Sequence, residues 1–206
     1  MNMQILEPLV SNDLIAKRRE LGIDRSDEVW DGVYVVPPLA NNDHQDIIND
    51  LVGAISEVVR TPGLGRVQPG ANVSDREDDW EHNFRCPDVV VVLNDGSAID
   101  RKTHWQGGPD FLVEVRSPGD DTLKKLDFYA TLGVRELLVI ERDSRAPSLL
   151  RLARGRLSPI PTSKFEGEDY LVCEVLPLAF RLGGSKRLGP KLEVCRTDGT
   201  NKTWLV

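Results

Sequence analysis

The chain has 206 residues, 40% apolar and 29% charged, with 17 Gly and 13 Pro, a composition that excludes collagen, coiled coil and wholesale disorder. That length suits one domain with a real core, and no apolar run reaches the roughly 18–20 residues of a membrane span. The formal charge of −7 is unevenly spread: residues 1–144 hold 15 Lys and Arg against 27 Asp and Glu, a balance of −12, and residues 145–206 hold 11 against 6, a balance of +5. Any nucleic-acid footprint is therefore local.

The start of the chain lacks a basic and apolar signal region, so it reads as cytoplasmic, with no membrane partner. Ser11, then Leu14, Ile15, Arg18 and Leu21, then Gly22, predict a short helix capped by Ser11. Glu28-Val-Trp30, Asp31-Gly32 and Val33-Tyr-Val-Val36 predict a β-hairpin, because Asp-Gly supplies the positive φ angles of a type I′ turn. Asn42 or Asp43 is expected to cap a helix over residues 43–59, where Ile47, Ile48, Leu51, Val52, Ile55, Val58 and Val59 recur at helical spacing. Asp75, Glu77, Asp78, Asp79 and Glu81 around Trp80 read as a solvated acidic loop.

Two apolar runs predict buried strands over residues 88–93 and 110–116, followed by a helix over 120–132 with Gly133 as its stop and a third strand over 137–141. Strand, helix, strand at this spacing implies a crossover and a parallel pair. Beyond Pro147, short strands over 149–152, 171–175, 191–196 and 202–206 predict an antiparallel extension of the same domain. Cys86, Cys173 and Cys195 are odd in number and widely spaced, against a disulfide framework or zinc finger, and Cys86 reads as a small buried hydrophobe.

Three residues are out of place. A carboxylate inside a buried strand is costly unless paired, protonated or bound to metal, and Asp88 opens one apolar strand while Glu114 sits in the middle of another. By alternation Glu114 shares a face with Asp110 and Arg116, so a plain Glu114–Arg116 ion pair is one alternative, and Pro87-Asp88 as a strand start is another. In the 120–132 helix, Lys124 lies almost opposite the apolar face, while Lys125 is on its flank in line with Tyr129 and Leu132. Two acids and an ammonium can hold Mg²⁺ and offset phosphoryl charge.

Glu28-Val-Trp-Asp-Gly32, His44 at a helix head, Pro87-Asp88-Val-Val-Val-Val92, Pro109-Asp-Phe-Leu-Val-Glu-Val-Arg-Ser-Pro118 and Lys125-Leu-Asp-Phe-Tyr129 before Leu132-Gly-Val134 together resemble the Uma-two family. These are bacterial endonucleases of the PD-(D/E)xK superfamily. The resemblance implies a restriction-endonuclease-like α/β (mixed α+β) fold: a central mixed sheet flanked by helices, in one domain over 1–206 with its core at about 28–143 and a β-rich extension at 147–206. It implies that Asp88 and Glu114 ligate Mg²⁺ or Mn²⁺ with the Val115 carbonyl, and that Glu28 joins from the hairpin. Lys125 supplies the catalytic ammonium, with His44 and Arg116 as accessory residues. Arg116 stands where the superfamily's usual pattern has a lysine, and with a pKa above about 12 it cannot act as a general base. The chain also departs from the family at Glu136-Leu-Leu-Val-Ile-Glu141, where an aromatic-rich strand ending in Asp is common.

Three functions remain open to this reading. The first is a metal-dependent endonuclease on DNA, in which a homodimer is allowed. The second is a nuclease-like domain kept for binding or assembly without turnover, which the −12 balance favours. The third, an acid/base hydrolase without metal, is weakened by the lack of a sugar-stacking aromatic platform.

Overall fold

In the computed structural model, which describes residues 4–6, 8–185 and 189–206, strict alternation along the central strands divides the core into two layers. Val89, Val91, Phe111, Val113, Val115, Leu138 and Ile140 face one layer, while Val90, Val92, Leu112, Leu137 and Val139 face the other. A strand buried on both faces is apolar throughout, so a polar residue within it stands out. The strands Val89–Leu93, Phe111–Arg116 and Glu136–Glu141 are neighbours in a six-stranded sheet, completed by Gly65–Pro69 at one edge and by Pro147–Ala153 and Arg156–Pro159 at the other. Phe111–Arg116 runs parallel to Glu136–Glu141 and antiparallel to Val89–Leu93. The crossover between the parallel pair carries the helix Leu126–Leu132, ended by Gly133 at φ +89°, a backbone angle that glycine adopts without a Cβ penalty.

Two helices cover opposite faces of this sheet. Asn42–Val58 packs Ile47, Ile48, Leu51 and Ile55 onto the first layer, which a five-stranded C-terminal sheet also covers through Leu171, Leu178 and Phe180. Leu126–Leu132 covers the second layer with Tyr129, beside Val73 and Trp105 of a seven-stranded N-terminal sheet. The Glu28–Trp30 and Val33–Val36 hairpin forms as expected, with Asp31 at φ +48° and Gly32 at φ +85°. Arg18 ties the first helix to this hairpin by two bonds to Asp27, at 2.6 and 2.7 Å. No helix among the described residues is long and apolar enough to cross a membrane.

Several element boundaries differ from expectation. The first helix is Pro8–Glu20, so Ser11 lies inside it and is not its cap, since proline is pre-organised for the first turn. The second helix is capped by Asn41, whose side chain accepts from the His44 N–H at 3.0 Å, one residue ahead of the expected Asn42 or Asp43. The third opens as a 3₁₀ turn, Thr122–Lys125, because Asp120 accepts the N–H groups of Ser117 and Thr122 and tightens the entry. The extension is more divided than a simple continuation. Its first strands join the central sheet, and Ser163–Phe165, Glu168–Val172, Leu178–Ser185, Gly189–Arg196 and Thr203–Leu205 form a separate antiparallel sheet.

Glu136 joins these two parts. Its buried carboxylate accepts from Cys173 Sγ at 2.7 Å, from the N–H groups of Glu174 and Val175 at 3.1 and 3.0 Å, and from Arg151 Nε at 2.8 Å. Glu136→Ala is expected to destabilise the chain by about 1–3 kcal/mol, because buried donors lose their acceptor. A urea unfolding midpoint equal to wild type would contradict this.

Candidate active site

Glu114 occupies a position in the second apolar layer that its neighbour Leu112 fills with hydrocarbon. It is buried, and its charge is met from the crossover helix: Lys125 Nζ lies 3.0 and 3.3 Å from its two carboxylate oxygens, and the Tyr129 hydroxyl donates to Oε1 at 2.5 Å. Lys125 and Tyr129 are four residues apart, so the turn that brings one to Glu114 brings the other. Lys124 points away; it is 62% exposed and pairs with Asp121 at 2.9 Å, whereas Lys125 is 11% exposed.

Glu28 reaches the same ammonium from the hairpin, with Oε1 2.8 Å from Lys125 Nζ. Its remaining capacity is taken by the Trp30 indole N–H on Oε2 at 2.6 Å and the Cys86 N–H on Oε1 at 2.9 Å. Glu28 is therefore a holder of Lys125. Burial pushes Lys125 toward the neutral form, but the charges of Glu114 and Glu28 outweigh it and raise its pKa above the ordinary value. Burial also raises Glu114, to about 7; Lys125 and the Tyr129 hydrogen bond oppose the rise, and Asp88 and Glu28 add to it.

Asp88 stands where the antiparallel ladder stops. Val113 is registered opposite Val89, so one residue further on Glu114 and Asp88 come to facing positions, a relation that sets Cβ atoms about 4.5–5.5 Å apart where the pairing continues. The backbone pairing ends there, and the Asp88 carboxylate takes the free Val115 N–H on Oδ2 at 2.6 Å. In an extended strand the N–H and C=O of one residue point to the same side, so the Val115 carbonyl faces the Asp88 side too. Asp88 Oδ1 is 3.1 Å from His44 Nε2, whose ring is brought in by the first turn of the Asn41-capped helix. His44 Nδ1 is buried with no hydrogen-bond partner among the described residues. Burial lowers the His44 pKa, yet the bond to Asp88 and the charges of Asp88 and Glu114 leave it above its usual value.

The elements thus bring together Glu28, His44, Asp88, Glu114 and Lys125, with the Val115 backbone beside them. Arg116 is not in this cluster. Its guanidinium pairs with Glu141 at 2.8 Å and lies 3.9 Å from Asp120, so the alternative of a Glu114–Arg116 ion pair is replaced by Glu114–Lys125. Asp110 is structural, accepting the Leu93 N–H at 2.8 Å and pairing with Arg135. The Cys86 thiol is pushed up to about 12 by burial and the nearby Glu28 charge, which suits an inert side chain.

Two contributors were not singled out as functional from sequence: Tyr129, legible only as an apolar-face residue, and Arg85. Buried Arg85 lies over the rings of Phe128 and Trp30, 4.1 and 4.9 Å from their centroids, so it braces the hairpin against the crossover helix. Its signal was faint, a lone arginine beside Phe84. Among the described residues, no group of three or more His, Cys, Asp and Glu side chains is arranged to hold a metal; the Lys125 ammonium lies between the Glu28 and Glu114 carboxylates.

The fold is of a nuclease-like class. It resembles a solved structure from Anabaena variabilis titled a "putative nuclease belonging to DUF820", with a TM-score of 0.53 and 17% sequence identity, over 66% of this chain and 78% of that one. Comparison with curated proteins yields no match. The chain belongs to the Uma2 family, described as "Putative restriction endonuclease", whose model matches residues 22–184. The match extends past the 28–143 core into the C-terminal sheet.

Proposed function

We propose that the chain is a divalent-metal-dependent endonuclease that hydrolyses DNA phosphodiester bonds. The observation that carries this reading is the buried Glu114–Lys125–Glu28 cluster, set in an apolar layer one sheet position from Asp88. Burying three charges against hydrocarbon is costly, and clusters of this kind concentrate at functional sites.

The donor set fits Mg²⁺ or Mn²⁺. Asp88, Glu114 and the Val115 carbonyl offer hard oxygens, and Mg²⁺ is commonly held by one or two carboxylates while it keeps several waters. When bound, such an ion lowers the pKa of a water and polarises the phosphoryl oxygen. The chain's own residues do the rest. Lys125 presents a fixed positive charge to the phosphate as negative charge develops. Glu28 and Tyr129 keep Lys125 and Glu114 in place, and His44, bonded to Asp88, orients that carboxylate. A pair of copies would present two such sites to the two strands of a duplex.

The second reading is a nuclease-like domain that binds without turnover. It is favoured by the engagement of Lys125 with both carboxylates and by the −12 balance of residues 1–144. Incubation with plasmid and single-stranded DNA in Mg²⁺ or Mn²⁺ separates the two. Cleavage that EDTA stops and that Glu114→Ala lacks is expected; no cleavage under any of these conditions would select the second, and cleavage in EDTA would select metal-free acid/base chemistry.

A further inference from the structure

Three arginines meet at one place, the carboxyl ends of the parallel strands, directly beside the cluster just described. Arg116 ends the strand that carries Glu114, and Arg142 follows the end of the neighbouring strand; the Arg142 N–H donates to the Arg116 carbonyl at 2.9 Å. Arg142 Nη1 reaches Ser117 Oγ at 3.2 Å, and its charge acts on the His44 ring. Arg145 closes the turn: its N–H donates to the Glu141 carbonyl at 2.8 Å and its Nη1 to the Arg142 carbonyl at 2.9 Å, while Nη2 faces Asp43 beside His44 at 3.8 Å.

Two features separate this rim from ordinary surface charge. The guanidiniums are the sheltered partners and their acids the exposed ones: Arg145 is 12% exposed against 69% for Asp43, and Arg142 is 20% exposed against 61% for Asp143. Arg142 Nε is bonded to the solvated Asp143 carboxylate at 2.7 Å and Arg145 Nη2 lies 3.8 Å from the solvated Asp43 carboxylate. Exposed ion pairs of this kind have a small net worth, so an incoming phosphate oxygen can take the carboxylate's place. Arg145 also sits at φ +58°, a left-handed angle that an arginine adopts at a cost and a glycine does not.

We infer that Arg142 and Arg145, with Arg116 beside them, form a phosphate-binding rim that holds the nucleic-acid backbone next to the Asp88–Glu114 site. These are positioning residues. The inference deepens the nuclease reading and rests on it only for the identity of the site, because binding can be measured without turnover.

The test uses the full chain and a short fluorescein-labelled DNA duplex in EDTA, with anisotropy read over a range of salt concentrations. Arg142→Gln with Arg145→Gly is expected to weaken binding about tenfold or more. It should also flatten the dependence of log affinity on log salt by about 1.8, since each lost phosphate contact removes about 0.9. Arg145→Gly alone relieves the left-handed backbone and is expected to melt no lower than wild type while losing about half of that slope. A purely structural role for Arg145 predicts the reverse. Arg154→Ala with Arg156→Ala is the control, at a hairpin on the opposite end of the sheet, where Arg151 pairs with Glu136; affinity and slope should stay at wild-type values.

Equal affinity and slope in wild type and the double variant would overturn the rim, as would an equal loss from the Arg154 and Arg156 control or a wild-type chain that binds no DNA. Binding through the rim without cleavage would sink the nuclease reading alone and leave the rim standing. Cleavage with unchanged binding in the double variant would sink the rim alone.

Discussion

Lys125→Ala is expected to lower DNA cleavage about a hundredfold or more, the usual loss when one donor to a charged transition state is removed. Lys124→Ala, one residue away, should leave turnover within about twofold of wild type. The contrast follows from burial: Lys125 lies between Glu28 and Glu114, while the exposed Lys124 pairs with half-buried Asp121. The same substitution strands two buried carboxylates, so Lys125→Ala is also expected to destabilise the chain by about 3–5 kcal/mol. Lys124→Ala should change stability by less than about 0.5 kcal/mol. Rates are therefore to be read per folded molecule, from the folded fraction given by urea unfolding at the assay temperature. Equal kinetic losses from the two lysines would refute the assignment of Lys125 and return Arg116 to consideration as the active-site cation.

The second large effect concerns the ion. Calorimetric titration of the wild-type chain with Mn²⁺ or Mg²⁺ is expected to show binding that the Asp88→Asn, Glu114→Gln double variant lacks, with cleavage falling at least a hundredfold in parallel. Both replacements keep side-chain size, and the amide oxygen introduced by Glu114→Gln can still accept the Tyr129 hydroxyl, so loss of binding would reflect the missing charges and not a collapsed strand. A double variant that binds either ion as tightly as wild type would show that the metal, if the chain uses one, sits elsewhere.

Much of this site was legible before any fold was known, because its residues break local rules. Glu114 interrupts an apolar strand, Asp88 opens one, and a helical phase of about 100° per residue separates Lys125 from Lys124. That phase survives even though the helix opens as a 3₁₀ turn, since Lys125 falls at its last position and Tyr129 follows in regular α geometry. Tyr129 was harder to recognise: an aromatic residue on an apolar face reads as core, and only the facing strand makes its hydroxyl a partner of Glu114. Glu28 was named only through the family resemblance, and Arg85 was not singled out at all. Their partners lie 97 residues on for Glu28 and 56 residues back for Arg85, in elements whose approach no local pattern encodes.

By itself, then, the sequence determined the strand–helix–strand core, the type I′ hairpin and the identity of the buried charges, because alternation, helical phase and turn chemistry act over a few residues. Only the tertiary structure decided how those charges are paired. Period-two alternation put Arg116 on the same face as Glu114, yet the approach of the crossover helix delivers Lys125 to that carboxylate, and Arg116 turns to Glu141. It also decided the division of the C-terminal strands between two sheets, and it joins them through Glu136, which gathers Arg151, Cys173 and the Glu174 and Val175 backbone through contacts 15 to 39 residues apart in the chain. Side-chain pairing in a core is settled by which surfaces pack together, and that choice belongs to the whole chain at once.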